Sequence, residues 1–153
     1  MVLFVDPDRA FFEVLQRALP LTTTVKACTD FYTARELLFE WEPDLLVTNI
    51  RLSAFNGLQL VYLAKAEDFE TRSVVYARPH DIALAHEIQI AGAFYEPQWR
   101  LPYAIATYVR SVLPPSDRRD PAIVDRRRLF RGGRRCTDRP FLFRSQGEPG
   151  SPA

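Results

Sequence analysis

Short apolar segments that suit β-strands alternate five times with helical patterns between residues 2 and 113. The strand patterns are VLFV, TTVKAC, the run at 44–49, SVVYA and AFYE, and a segment of helical character follows each of them. Strands separated by helices pair in parallel through right-handed crossovers, and helices then cover both faces of the sheet. The alternation therefore predicts an α/β fold built on a doubly wound, five-stranded parallel sheet.

Capping residues predict where the helices begin and end. Asp8, Asp81 and either Thr29 or Asp30 are candidate N-caps, and Gly92 lies where a helix C-terminus commonly carries glycine. A loop is predicted at 51–55, and a helix from about Asn56 follows it. The first helix is predicted to place one apolar face against the sheet, formed by Phe11, Val14, Leu15, Ala18 and Leu19.

Charge divides the chain into an acidic body and a basic C-terminal region. Residues 1–115 carry ten Arg and Lys against fourteen Asp and Glu, a net charge of −4, whereas residues 116–153 carry ten Arg against five acids, a net charge of +5. The second region is rich in Pro, Arg and Gly and has little periodicity. We expect one folded domain at 1–113 and a flexible, mostly disordered tail at 114–153.

No apolar stretch approaches the roughly 20 residues that a membrane-spanning helix needs. A strand pattern begins directly after Met1, which leaves no room for a signal peptide. We therefore expect a cytoplasmic protein without a membrane partner. Cys28 and Cys136 are too few for a disulfide framework, and without a CxxC motif they give no support to a zinc site.

Asn49 stands at the end of the third strand pattern, and the carboxyl ends of parallel strands are the usual place for an α/β active site. An aspartate there could bind a metal ion or attack a phosphoryl group. A carboxamide does neither well, because it has no formal charge and its oxygen is a poor nucleophile. We therefore predict that Asn49 is a hydrogen-bonding amide. Metal binding or phosphoryl chemistry then lies elsewhere in the protein or is absent.

Three features, in this order, resemble the receiver domain of bacterial response regulators. They are the acid Asp6 directly after the first strand, the NGL turn at 56–58 after the third strand, and the AGA turn at 91–93 before the fifth. The resemblance covers residues 2–113. It implies a flavodoxin-like (βα)5 fold and a role in two-component, phosphorelay signal transduction. In that family a phosphoryl group is transferred to an aspartate at the end of the third strand, and that aspartate and acids after the first strand hold Mg²⁺.

By this resemblance the phosphoacceptor position is degenerate, because Asn49 occupies it. Asp6 and Asp8 remain as a vestigial acidic pocket, but Pro7 stands where a second acid is usual, and capping of the next helix is the structural alternative for both acids. The resemblance therefore implies a pseudo-receiver that is not an enzyme. We expect no catalytic residue, no metal site and no cofactor, with Mg²⁺ binding weak or absent.

Two further family positions are degenerate by the same comparison. Ala77 replaces a phosphate-binding Thr or Ser at the end of the fourth strand, with Arg78 as the alternative occupant. Glu96 replaces a lysine that precedes a proline after the fifth strand, with Trp99 as the alternative. Close to the position of the family's phosphorylation pocket, Glu96 would repel a phosphate. We expect Glu96 to balance the charge of Arg78 or Arg51.

The resemblance also implies a contact surface on the fourth helix, the fifth strand and the fifth helix. We expect a stand-alone signalling module that acts by protein contact with another signalling protein, and a homodimer through the same face is an alternative. Tyr95 would hold the family's switch position, locked in one rotamer. The predicted anchors are aromatic or large and apolar: Ile90, Tyr95, Trp99, Tyr103 and Tyr108.

The basic tail supports a second hypothesis. Its RxxxR spacings resemble the arginine motif of PilZ-type cyclic-dinucleotide binders, although the rest of that family's pattern is missing. Arginines that alternate with glycine also suit nucleic acid or another anionic ligand, but five acids dilute the positive field of the tail. A solvated tail is the structural alternative, and we rank nucleic-acid binding below it. The arginines concerned are Arg127, Arg131, Arg134 and Arg135.

Overall fold

The computed structural model describes residues 1–114 and residue 117. In chain order its elements are β1 (Val2–Val5), α1 (Arg9–Ala18), β2 (Val25–Cys28), α2 (Phe31–Trp41), β3 (Leu45–Asn49), β4 (Arg51–Leu52), β5 (Phe55–Asn56), α3 (Leu58–Ala66), β6 (Arg72–Ala77), α4 (Ile82–Ile90), β7 (Phe94–Pro97) and α5 (Leu101–Arg110).

Five of the strands form one parallel sheet in the order β2-β1-β3-β6-β7. The chain winds outward in both directions from β1 and β3, so the predicted doubly wound α/β fold is confirmed. All five strands point the same way, and their carboxyl ends therefore meet at one rim of the sheet.

Two apolar layers cover the sheet because successive side chains of a strand point to opposite faces. On β6, Val74 and Tyr76 face the layer of α1 and α5, whereas Val75 and Ala77 face the layer of α3 and α4. Residues of α2 and α3 pack against Leu3, Val5 and Leu46 on that second side. The central strands β1, β3 and β6 are buried along almost their whole length, which explains their nearly continuous apolar sequences.

The helix starts follow the predicted caps. Side chains of Asp8, Asp30 and Asp81 accept hydrogen bonds from backbone N–H groups in the first turns of α1, α2 and α4, so Asp30 rather than Thr29 caps α2. Gly92 follows α4 with a φ of +83°, a conformation in which only glycine is free of strain. The prediction that Val14 belongs to the buried face is wrong: its side chain is 47% exposed, because the buried arc of α1 centres on Leu15.

The predicted loop after β3 is instead a short hairpin of β4 and β5. Ser53 turns the chain there with a φ of +56°. The side chain of Asn56 then accepts a hydrogen bond from the N–H of Leu58 at 2.9 Å, and α3 begins at Leu58, two residues later than expected. None of the described helices has the length and apolar character needed to cross a membrane.

Candidate functional site

The carboxylate of Asp6 is the centre of a hydrogen-bond network at the carboxyl rim of the sheet. Asp6 is 3% exposed. Its Oδ1 accepts from the backbone N–H of Asp8 at 2.7 Å, and its Oδ2 accepts from Nδ2 of Asn49 at 3.2 Å and from the hydroxyl of Tyr76. Three donors therefore stabilise this buried negative charge, as a buried carboxylate requires.

Asn49 brings the end of β3 into the network with both halves of its carboxamide. Its NH₂ group donates to Asp6, and its Oδ1 accepts from the backbone N–H of Arg51 at 3.0 Å. An aspartate at this position would place a second carboxylate against Asp6, whereas the amide converts the repulsion into a hydrogen bond. The expected hydrogen-bonding amide is thus present, on a residue that is only partly buried.

Tyr76 is the member of the network that sequence reasoning missed. Its ring is fully buried on β6, stacked on Phe4 at 6.1 Å and tilted against Phe11 at 5.4 Å between ring centroids. Burial, and then the adjacent negative charge of Asp6, raise the pKa of the Tyr76 hydroxyl far above its usual range, so it stays a proton donor. The available signal was a phenol at the end of an apolar strand, since a buried hydroxyl needs a hydrogen-bond partner.

Gly57 allows the loop after the hairpin to lie directly on the end of β3. Its N–H donates to the carbonyl of Ile50 at 2.9 Å. A Cβ atom at this position would stand 2.2 Å from the backbone oxygen of Asn49 and 2.8 Å from Oγ1 of Thr48. The glycine of the NGL turn is therefore required by close backbone approach, and it fixes the position of Asn49.

The donor set at this rim does not fit the Mg²⁺ ion that the resemblance implies. Mg²⁺ needs near-octahedral oxygen ligands and usually takes one or two carboxylates with waters and substrate oxygens. Here Asp6 already accepts three hydrogen bonds, and Oδ1 of Asp8 caps α1 through the N–H of Ala10 at 3.0 Å. Residues 1–114 and 117 contain no group of three or more His, Cys, Asp and Glu side chains able to hold a metal ion.

Ala77 lies at the end of β6, as expected, and Glu96 is engaged by Tyr108 and Arg100. Its carboxylate is buried and accepts from the hydroxyl of Tyr108 at 2.7 Å, and its ion-pair partner is Nε of Arg100 at 3.6 Å. The expectation that Glu96 balances Arg78 or Arg51 is therefore wrong. Glu96 lies opposite Tyr76 in the β6–β7 register, on the side of β7 that also carries Phe94, and its partners Arg100 and Tyr108 come from the start and the body of α5, which packs on that side.

The predicted contact surface divides into exposed and buried residues. Ile90, Trp99 and Tyr103 are exposed by 73%, 55% and 83%. The prediction of Tyr95 and Tyr108 as surface anchors is wrong, since both are buried. Tyr108 packs edge-on against Phe94 and donates to Glu96.

Two hydrogen bonds of its hydroxyl group hold the side chain of Tyr95 in the protein interior. That group donates to the carbonyl of Pro79 at 3.1 Å and accepts from the N–H of Asp81 at 3.2 Å. Burial is the main cause that raises the pKa of the Tyr95 hydroxyl. The ring is thereby tied to the loop between β6 and α4.

Cys28 ends β2 close to the same rim, and its thiol donates to the carbonyl of Phe4 at 3.9 Å. Burial, assisted by the charge of Asp30, raises the pKa of the Cys28 thiol to about 12. A thiol with so high a pKa is a weak nucleophile near neutral pH, so the site gains no nucleophile from it. The tail arginines Arg127, Arg131, Arg134 and Arg135, like all of the predicted tail except residues 114 and 117, lie outside the described residues.

No protein-family model matches the chain, and no curated protein matches it by sequence. Solved structures do match. The signal receiver domain of NarL from Mycobacterium tuberculosis is 22% identical with a TM-score of 0.63, over 71% of this chain and 90% of that one. A CheY-like response regulator receiver domain protein from Methanospirillum hungatei is 16% identical with a TM-score of 0.64, over 71% and 89%.

A two-component response regulator of the LuxR family from Aurantimonas sp. is 20% identical with a TM-score of 0.62, over 71% of this chain and 80% of that one. The three matches share the five-stranded parallel sheet and its helices, at identities low enough that the likeness concerns the fold. The predicted resemblance is confirmed at that level: the chain has the fold of a response-regulator receiver domain.

Proposed function

We propose that this protein is a receiver-like signalling module of the two-component type that works without phosphoryl transfer and is not an enzyme. One observation carries the proposal: both oxygens of the buried Asp6 carboxylate accept hydrogen bonds, from the N–H of Asp8 and from the side chains of Asn49 and Tyr76. Such a network stabilises one conformation of the rim instead of leaving carboxylate oxygens open for a cation.

In this arrangement the nucleophile and the cation ligands that phosphoryl transfer needs are missing. The carboxamide of Asn49 is a poor nucleophile, so no acyl phosphate forms at the end of β3. A cation would have to displace donors from Asp6, and it would gain only one carboxylate in exchange. We therefore propose that Mg²⁺ binds weakly or not at all.

The intact mass of the protein after incubation with acetyl phosphate and Mg²⁺ tests this proposal. We expect no phosphoryl adduct, and a phosphorylatable receiver treated in parallel should gain one. A stable adduct located at Asn49, Asp6 or Asp8 by peptide mapping would contradict the proposal. Full modification of the control protein shows that the reagent is active.

Protein contact is the remaining way to transmit a signal, and exposed aromatic side chains support it. Trp99 lies two residues before α5 and Tyr103 lies in its first turn, and both are more than half exposed. Large aromatic residues dominate the binding energy of protein interfaces. We propose that Ile90, Trp99 and Tyr103 contact another signalling protein, with a second copy of this chain as the alternative partner.

A photo-crosslinking residue at Trp99, compared with one at Tyr62, tests the contact in cells of the native host. Tyr62 is a matched control because it is an aromatic side chain on another helix with 50% exposure. We expect a discrete product with another signalling protein from position 99 and none from position 62. A product of twice the chain mass identifies a homodimer, and equal labelling from both positions would contradict the proposed surface.

A further inference from the structure

A cavity of about 690 Å³ lies beside α5, on the side of the sheet that carries Phe94 and Glu96 of β7. Leu113 and Pro114, from the segment after α5, form part of its wall. Ligand pockets in proteins commonly measure about 300–1,000 Å³ and combine apolar walls with a few polar groups. The described residues that line this cavity include three aromatic rings, two acids and one base: Phe94, Tyr103, Tyr108, Glu96, Asp117 and Arg100. The cavity therefore has the size and composition of a small-molecule site.

A buried carboxylate lies in the wall of this cavity. Glu96 is 1% exposed, and its Oε1 accepts from the hydroxyl of Tyr108 at 2.7 Å. Nε of Arg100 lies 3.6 Å from Oε2 of Glu96, which is longer than a hydrogen bond, and the side chain of Arg100 is 48% exposed. Solvent therefore screens the positive charge of Arg100 more than it screens the negative charge of Glu96.

Asp117 brings a second acid to the same cavity, and it too is buried. The described lining thus carries two carboxylates against one guanidinium group. Acidic side chains are almost never fully buried unless they are paired, so positive groups are favoured beside them. This charge balance disfavours an anion in the cavity and favours a cation.

Aromatic rings supply the other part of the surroundings that an organic cation prefers. Phe94 and Tyr108 pack edge to face with 5.6 Å between their ring centroids, and the exposed Tyr103 lines the cavity from α5. The face of an aromatic ring attracts a cation that lies within about 6 Å of its centroid. Leu113 and Pro114 add apolar surface for the uncharged part of a ligand.

We propose that this cavity binds a small organic amine with an apolar body. Its ammonium group pairs with Glu96 and Asp117, and its apolar body packs on the aromatic rings. Charge-assisted hydrogen bonds of this kind are about twice as strong as neutral ones. Because Tyr103 also belongs to the proposed contact surface, an occupied cavity supplies a ligand-dependent signal to that surface. This last step rests on the proposed function, whereas the binding of the amine does not.

An NMR titration of the ¹⁵N-labelled full chain tests the site. Phenethylamine, 2-phenylethanol and 3-phenylpropionate are added separately at matched ionic strength, since they share one ring and end in a positive, a neutral and a negative group. We expect saturable shifts of backbone amides within 94–108, with phenethylamine bound about tenfold more tightly than the other two. The inference is overturned if phenethylamine gives no saturable shift or binds no more tightly than 2-phenylethanol.

Glu96→Gln and Asp117→Asn should each weaken the binding of phenethylamine by about tenfold, because each removes one charge and keeps the shape of the side chain. Glu36→Gln is the matched control, since Glu36 is an exposed acid on α2, which packs on the other face of the sheet. If Glu96→Gln does not fold, Asp117→Asn alone decides. Binding by the folded variants as tight as that of Glu36→Gln would also overturn the inference. The phosphoryl-adduct experiment is independent of this result, because the residues of the Asp6 network do not line the cavity.

Discussion

At the scale of single residues, the difference between Asn49 and an aspartate decides what the rim of the sheet can do. The amide donates to a buried carboxylate 3.2 Å away, and an aspartate could not do so in its charged form. The same substitution that removes the nucleophile therefore also stabilises the rim. Tyr76 supplies a second donor from the neighbouring strand, so the network joins the carboxyl ends of β1, β3 and β6.

Asn49→Asp should lower the free energy of unfolding by about 1–3 kcal/mol at pH 7, because it replaces a hydrogen bond with two facing carboxylates. Repulsion raises the pKa of the introduced carboxyl group in the folded protein above its unfolded value of about 3.9. A raised folded pKa means that the penalty is absent below that value and grows as the pH rises. Urea unfolding at pH 4 and pH 7 measures it.

Asn49→Ala is the control for this variant, since it removes the amide without adding a charge. Its loss of stability should be nearly the same at both pH values. A variant Asn49→Asp that is as stable as the wild-type protein at pH 7 would show that Asp6 and residue 49 do not face each other as described.

Tyr76→Phe should destabilise the protein by about 1–3 kcal/mol, because it removes a donor from a buried, charged acceptor while it keeps the ring packing. Tyr62→Phe is the control, since Tyr62 is half exposed and should change stability by less than about 0.5 kcal/mol. Chemical denaturation of both variants gives the comparison. Equal stabilities of the two variants would contradict a structural role for the Tyr76 hydroxyl.

Gly57→Ala should destabilise the protein by about 1–3 kcal/mol, because the added methyl group overlaps the backbone oxygen of Asn49. Ser53→Gly, in the hairpin that precedes Gly57, provides a contrast. Ser53 has a φ of +56°, so glycine relieves strain there and should change stability by less than about 1 kcal/mol. A well-tolerated alanine at 57 would show that the loop does not lie against β3.

At the scale of helices and strands, the sequence patterns were reliable wherever one local rule decides the structure. Caps at Asp8, Asp30 and Asp81 fixed three helix starts, because a side-chain acceptor and the first free N–H groups lie within three residues of each other. The β4–β5 hairpin was missed because a two-residue strand has no detectable period and depends on Ser53 adopting positive φ.

Asp30→Ala should lower stability by about 0.5–2 kcal/mol at pH 7, because it removes the acceptor for the N–H of Thr33, whereas Asp30→Asn keeps a capping oxygen and should cost less. Hydrogen bonds from Thr33 lower the pKa of the Asp30 carboxyl group. A lowered folded pKa means that the contribution is present above the unfolded value and is lost as the pH falls. Thermal unfolding at pH 7 and pH 3 should show a smaller difference between wild type and Asp30→Ala at pH 3.

At the scale of the whole molecule, the order of strands and helices was predictable, but the directions of side chains at the site were not. Five alternations determine a doubly wound sheet almost alone. Glu96 lies opposite Tyr76 on β7, and its contacts with Arg100 and Tyr108 rather than with Arg51 or Arg78 depend on where α5 packs, which no local sequence pattern determines. Tyr95 and Tyr108 were misplaced for a related reason, since buried and exposed tyrosines look alike in a sequence.

The central claim is that the hydrogen-bonded rim around Asp6 takes up neither Mg²⁺ nor a phosphoryl group. Beryllofluoride mimics a phosphoryl group only when a carboxylate and Mg²⁺ hold it together, and fluorine NMR detects the bound form. We predict no Mg²⁺-dependent bound fluorine resonance for the wild-type protein. A bound resonance in slow exchange that appears with Mg²⁺ and disappears with EDTA would contradict the account.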